Sequence, residues 1–124
     1  MNIEELREHC LAVRGAEESF PFNDTILAFK VMSKLFAYID LEPRSGRLRV
    51  EMKCDPDRSI ELRERYEGVS FGHFPSTLLW NAVYLESDVP DALIVELIAH
   101  SVDEVIKKLP RAKRQEYLDR DGGL

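Results

Sequence analysis

Ile3, Leu6, Cys10 and Val13 recur at helical spacing, and Asn2 with Glu5 three positions later forms a capping-box pattern. An amphipathic helix is therefore predicted over residues 2–13. Gly15 ends it, an acidic turn at Glu17 and Glu18 follows, and proline in Phe20-Pro21-Phe22 excludes a regular interior element. The period then changes. Residues 26–31, 34–40 and 47–53 are short, rich in β-branched and aromatic residues, and joined by the turn-like segments Met32-Ser33 and 42–46. They predict an antiparallel meander of three strands. In the third, Leu48, Val50 and Met52 alternate with Arg47, Arg49, Glu51 and Lys53, so one face of the sheet is expected to be wet. Asp55-Pro56 starts a short helix through Ile60, Leu62 and Tyr66, with Gly68 as its stop. A loop over residues 70–76 leads to a strand over residues 80–86. Pro90 then opens a long helix whose stripe from Leu93 through Leu97, Val102 and Val105 to Leu109 must bury itself on the sheet.

Strands grouped between helices, without strand–helix alternation, predict an α+β fold of two layers: an antiparallel β-sheet with helices packed on one face. The 124 residues make one domain over residues 1–109, followed at 110–124 by a charged C-terminal tail or short helix. At 44% hydrophobic and 32% charged residues the chain can fill one core, and no apolar run reaches the ~18–20 residues needed to cross a bilayer. The acidic start Met1-Asn2-Ile3-Glu4-Glu5 is unlike a signal peptide, and Cys10 and Cys54 lack metal or redox spacing, so a soluble cytoplasmic protein with reduced thiols is expected. Cys54 near a helix start has a physical route to a reactive thiol, but nothing supplies an adjacent base.

Charge is unevenly spread along the chain. The total is −6, but residues 1–29 carry −4, 30–65 carry +2, 66–106 carry −7 and 107–124 carry +3. Any surface for nucleic acid must use the sheet and the tail, because phosphate binding depends on Lys and Arg. The candidate set is Lys30, Lys34, Arg44, Arg47, Arg49 and Lys53, on or beside the charged face of the meander. The bland alternative is a solvated face on which Arg47 and Arg49 pair with Asp40 or Glu42. The tail cations Lys107, Lys108, Arg111, Lys113 and Arg114 suit a helix C-terminus. No nucleophile–base pair, Gly-rich phosphate loop or metal spacing among His9, His73 and His100 is present, so neither catalysis nor a metal or other cofactor is expected.

An ordered set of short pieces, Phe20-Pro21-Phe22, Phe29-Lys30-Val31, Lys34-Leu35-Phe36-Ala37, Lys53-Cys54-Asp55-Pro56, Leu62-Arg63, Tyr66-Glu67-Gly68-Val69, His73 and Trp80-Asn81-Ala82-Val83, resembles the MmcQ/YjbR family. The resemblance runs from the first helix to about Leu109. It implies a fold like that of the CyaY/frataxin proteins, and DNA binding through a proposed double wing of β-hairpins in proteins not known as enzymes. It also singles out Phe20, Phe22, Tyr66, His73, Trp80 and Asn81 as a loop or pocket set. Frataxin-like architecture invites comparison with iron binding at Glu4, Glu5 and Glu8, but the helix dipole alone accounts for acids there. The sequence departs from the family where relatives carry a basic stretch before the tryptophan: here Phe74-Pro75-Ser76-Thr77-Leu78-Leu79 has no lysine. Two functions are therefore expected as alternatives. One is weak, sequence-independent DNA binding on the basic sheet face. The other is a protein- or small-ligand-interaction domain using the aromatic loop 71–80, with no DNA binding and no membrane partner.

Overall fold

The computed structural model describes residues 1–73 and 79–122. Helix α1 (Ile3–Leu11) begins at the expected capping box: the Glu5 N–H donates to Asn2 Oδ1 at 2.8 Å and the Asn2 N–H to Glu5 Oε1 at 3.1 Å. The meander is β2 (Ile26–Val31), β3 (Lys34–Asp40) and β4 (Arg49–Lys53). Two further strands were not legible. The acidic turn is the edge strand β1 (Glu17–Ser19), and the loop after Gly68 begins as the edge strand β5 (Val69–Phe71). Three residues offer too little periodicity to read; ladder bonds to β2 and to β6 (Trp80–Tyr84) define them instead. All neighbours pair antiparallel in the order β1-β2-β3-β4-β6-β5.

Helix α2 (Pro56–Arg65) starts as expected, with the Asp55 carboxylate accepting the Arg58 N–H at 3.1 Å. Its end differs from expectation. The chain turns extended at Tyr66, and Gly68 serves close approach, since a Cβ there would lie 2.0 Å from Ser87 Oγ. The Asp88 carboxylate accepts the Gly68 and Glu67 N–H groups at 2.7 and 2.8 Å, which lowers its pKa.

Helix α3 (Asp91–Ile106) buries Ile94, Leu97, Ile98, Val102 and Val105 in one core with Leu6 and Cys10 of α1 and the inward residues Leu27, Phe29, Val31, Ile39, Val50, Met52 and Val83. The register skips Phe36, placing an extra residue in β3; Phe36 and Ala37 both join the core, and the Phe29 and Phe36 rings meet at 6.3 Å. Fully buried Ser101 of α3 ties this bulge to the end of β4, its hydroxyl donating to the Phe36 carbonyl and accepting the Lys53 N–H at 3.0 Å. Residues 111–122 form helix α4, docked by Tyr117: its hydroxyl donates to the Arg14 carbonyl at 2.8 Å, and Arg14 donates back to the Tyr117 carbonyl at 2.9 Å.

The helix-free face of the sheet is dry along its middle, against expectation. Ala28, Tyr38 and Trp80 form a second buried cluster with Ile26, Leu35 and Leu79 against it, and Glu51 beside them is only 7% exposed. The Tyr38 and Trp80 rings, 5.7 Å apart, supply the apolar area that strand alternation alone did not reveal.

Candidate nucleic-acid interface

Strand register decides which of the expected cations become neighbours. Lys30, Arg49 and Lys53 point to the helix-free side, with Ala28, Tyr38, Glu51, Ala82 and Trp80 in the same rows. Arg47 precedes β4 and folds its guanidinium over the Tyr84 ring at 4.1 Å. Arg44 stands exposed in the β3–β4 turn, and Lys34 opens β3 at the opposite end. The six cations thus form two groups. Four residue-to-residue steps of about 3.3 Å place Arg49 about 13 Å from Lys53, with the buried Glu51 between them.

The arginine end is internally engaged. The Glu51 carboxylate accepts the His73 N–H at 2.7 Å, and the Arg49 guanidinium donates to His73 Nδ1 at 3.2 Å. The same Nδ1 lies 3.4 Å from Glu51 Oε1, so His73 sits between the guanidinium and the carboxylate. His73 is delivered there by Gly72, where a Cβ would lie 2.7 Å from Trp80 backbone atoms. Asp40, opposite Ile26, adds a second carboxylate to this side. Phe22, Ile26, Tyr38, Asp40, Glu51 and His73 line a cavity of about 320 Å³.

At the lysine end, the junction of α3 and α4 brings Lys107 and Lys108 beside Lys53. The sequence shows those cations only as a charged helix end, because nothing local says which strand termini they meet. Lys107 is held by an ion pair with Glu104, which raises its pKa. Desolvation, then the charge of Lys108, lowers the pKa of Lys53, with Glu104 opposing.

The pocket set suggested by the family pattern does not converge. Phe22 and His73 meet at the cavity, and Trp80 lies in the Tyr38 cluster. Phe20 is half-exposed, and Tyr66 packs on the helix-side core. Asn81 lies on the opposite side of β6 from Trp80, where its Oδ1 accepts a 2.7 Å bond from Arg63. Phe74 to Leu78, the core of the aromatic loop, lie outside the described residues. The reactive-thiol reading of Cys54 fails physically. Burial pushes that thiol up, and it pushes Cys10 up to about 12. His100 is structural: its Nε2 accepts the Asp55 N–H at 3.1 Å, at the start of α2. Among the described residues, no helix is long and apolar enough to cross a membrane.

Comparison with known proteins fits this architecture. A protein of Deinococcus radiodurans with a DUF419 domain superposes with a TM-score of 0.83 at 34% identity, covering 94% of this chain and 87% of its own. A Pseudomonas syringae protein shares the fold at a TM-score of 0.70 and 16% identity, covering 82% of this chain and 96% of its own. In sequence the chain is 30% identical to the uncharacterized protein YjbR of Escherichia coli K12 over 93% of this chain and 96% of that one. It is 28% identical to the uncharacterized protein YbdF of Escherichia coli O157:H7, over 86% and 84%. The YjbR family model matches residues 11–103, and the chain belongs to the YjbR family.

Proposed function

We propose that this YjbR domain is a non-enzymatic, cytoplasmic nucleic-acid-binding module that holds duplex DNA weakly and without sequence preference across the helix-free side of its sheet. The observation that carries the reading is the arrangement of cations on that side and along its rim. Arg44, Arg47 and Arg49 gather at one end and Lys30, Lys34 and Lys53 at the other, about 13 Å apart along β4. That separation is close to the width of a major groove, about 12 Å, so the two groups can address the phosphate rows on its two sides. Contacts of this kind position the duplex without reading bases. Two free, buried cysteines suit a reducing compartment.

The test is fluorescence anisotropy with a labelled generic duplex at about 50 and about 200 mM salt. Affinity is expected to fall steeply between the two, and reversing Arg47 and Arg49 to Glu should shallow the salt slope by about one or two units. No binding at the lower salt overturns the reading.

A second reading rests on the cavity of Phe22, Ile26, Tyr38, Asp40, Glu51 and His73. An aromatic wall beside two carboxylates suits a small ligand or peptide carrying a cationic group. Under it, Phe22→Ala removes binding of the partner while the arginine reversals leave the protein without any DNA phenotype.

A further inference from the structure

A second cavity, of about 310 Å³, opens at the lysine end. Its lining is Lys34, Leu35, Lys53, Trp80, Val105, Lys108 and Leu109. Three lysines therefore arrive from three places, the start of β3, the end of β4 and the segment after α3, on a floor of Leu35, Trp80, Val105 and Leu109. No carboxylate lines it, and no ion pair to Lys34, Lys53 or Lys108 forms among the described residues. Glu104, the acid that acts on Lys53, is paired with Lys107. Convergent like charges over apolar walls are costly unless an anion completes them.

We infer that this recess is a binding site for a small organic phosphate, a phosphomonoester dianion held by Lys34, Lys53 and Lys108 with its organic body against Leu35, Val105 and Trp80. The charge fits: two negative charges against three lysines, each able to donate charge-assisted bonds to phosphate oxygens. The shape fits as well, since the volume suits one small ligand and the floor offers apolar contact that a free inorganic ion cannot use. The depressed pKa of Lys53 adds support. Desolvation, then Lys108 and Lys107, disfavour its protonated form, and an arriving dianion would favour it again. The site stands independently of duplex binding, although Lys34 and Lys53 serve both.

The chain contains one tryptophan, and it lines the cavity, so intrinsic fluorescence reports occupancy directly. The full chain is titrated with phenyl phosphate, with inorganic phosphate, and with chloride at matched ionic strength, exciting the indole alone. Saturable change is expected with phenyl phosphate, at an affinity several times that for inorganic phosphate. Lys108→Ala, at an exposed position after α3, should weaken it about tenfold. Side-chain NMR should show the Lys53 ammonium titrating at higher pH in saturating phenyl phosphate. A response equal to that of chloride, or a Lys108→Ala protein that titrates like the wild type, overturns the site. Equal affinity for phenyl and inorganic phosphate overturns the organic ligand. Phenyl phosphate binding without duplex binding would sink the DNA reading and leave this site standing.

Discussion

The two ends of the sheet carry cations in similar number but in opposite states. At the arginine end Arg47 lies on Tyr84, and Arg49 donates to His73, which is itself bonded to Glu51. At the lysine end Lys34, Lys53 and Lys108 converge on one cavity without a carboxylate in its lining. A charge count treats the two ends alike, but an anion does not. Where cations already have protein partners, binding phosphate must first compete with those contacts; where they crowd each other, phosphate relieves a repulsion.

The comparison breaks most severely at the arginine end through Gly72→Ala. A Cβ there meets Trp80 backbone atoms at 2.7 Å, so β6 or the following turn must shift and His73 leaves Glu51. A loss of about 3 kcal/mol by chemical denaturation is expected. Ser101→Ala acts at the other end. It strips the Phe36 carbonyl and the Lys53 N–H of a buried partner, for a loss of about 1–3 kcal/mol and a displaced Lys53.

A milder change sharpens the contrast by pH. The folded-state pKa of Lys53 lies below its unfolded value, so the unfolded chain binds the extra proton, and stability rises with pH between the depressed value and about 10.4. Lys53→Met should flatten that limb of a stability-against-pH curve, whereas Arg49→Met should leave it in place. The smallest effect is at the turn between β2 and β3, where Met32 and Ser33 both adopt positive φ, 50° and 65°. Ser33→Gly should raise stability by about 1 kcal/mol in a thermal melt without altering either end.

Much of this fold was legible because its signals are local. Asn2 with Glu5, Asp55 before Pro56, and the stripe from Leu93 to Leu109 each state their element within a few residues. What escaped depends on distant partners. Glu17 to Ser19 becomes a strand only because β2 is there to pair with it, and Gly68 is required by Ser87, nineteen residues away. The site divides in the same way. All six candidate cations were readable as charged residues of the meander, but their separation by Glu51 needed the register. The convergence of Lys108 with Lys34 needed the tertiary path of α3. Parity also split Trp80 from Asn81, which adjacent positions in one motif had suggested were a unit.

The most direct measurement compares duplex DNA affinity at about 50 mM salt for three proteins: the wild type, Lys30→Glu with Lys53→Glu, and Arg47→Glu with Arg49→Glu. Binding by the wild type is expected, with a loss of about tenfold or more on reversing the lysine end and a smaller loss on reversing the arginine end. Wild-type protein that fails to bind, or equal losses from the two reversals in proteins that remain folded, would contradict that expectation.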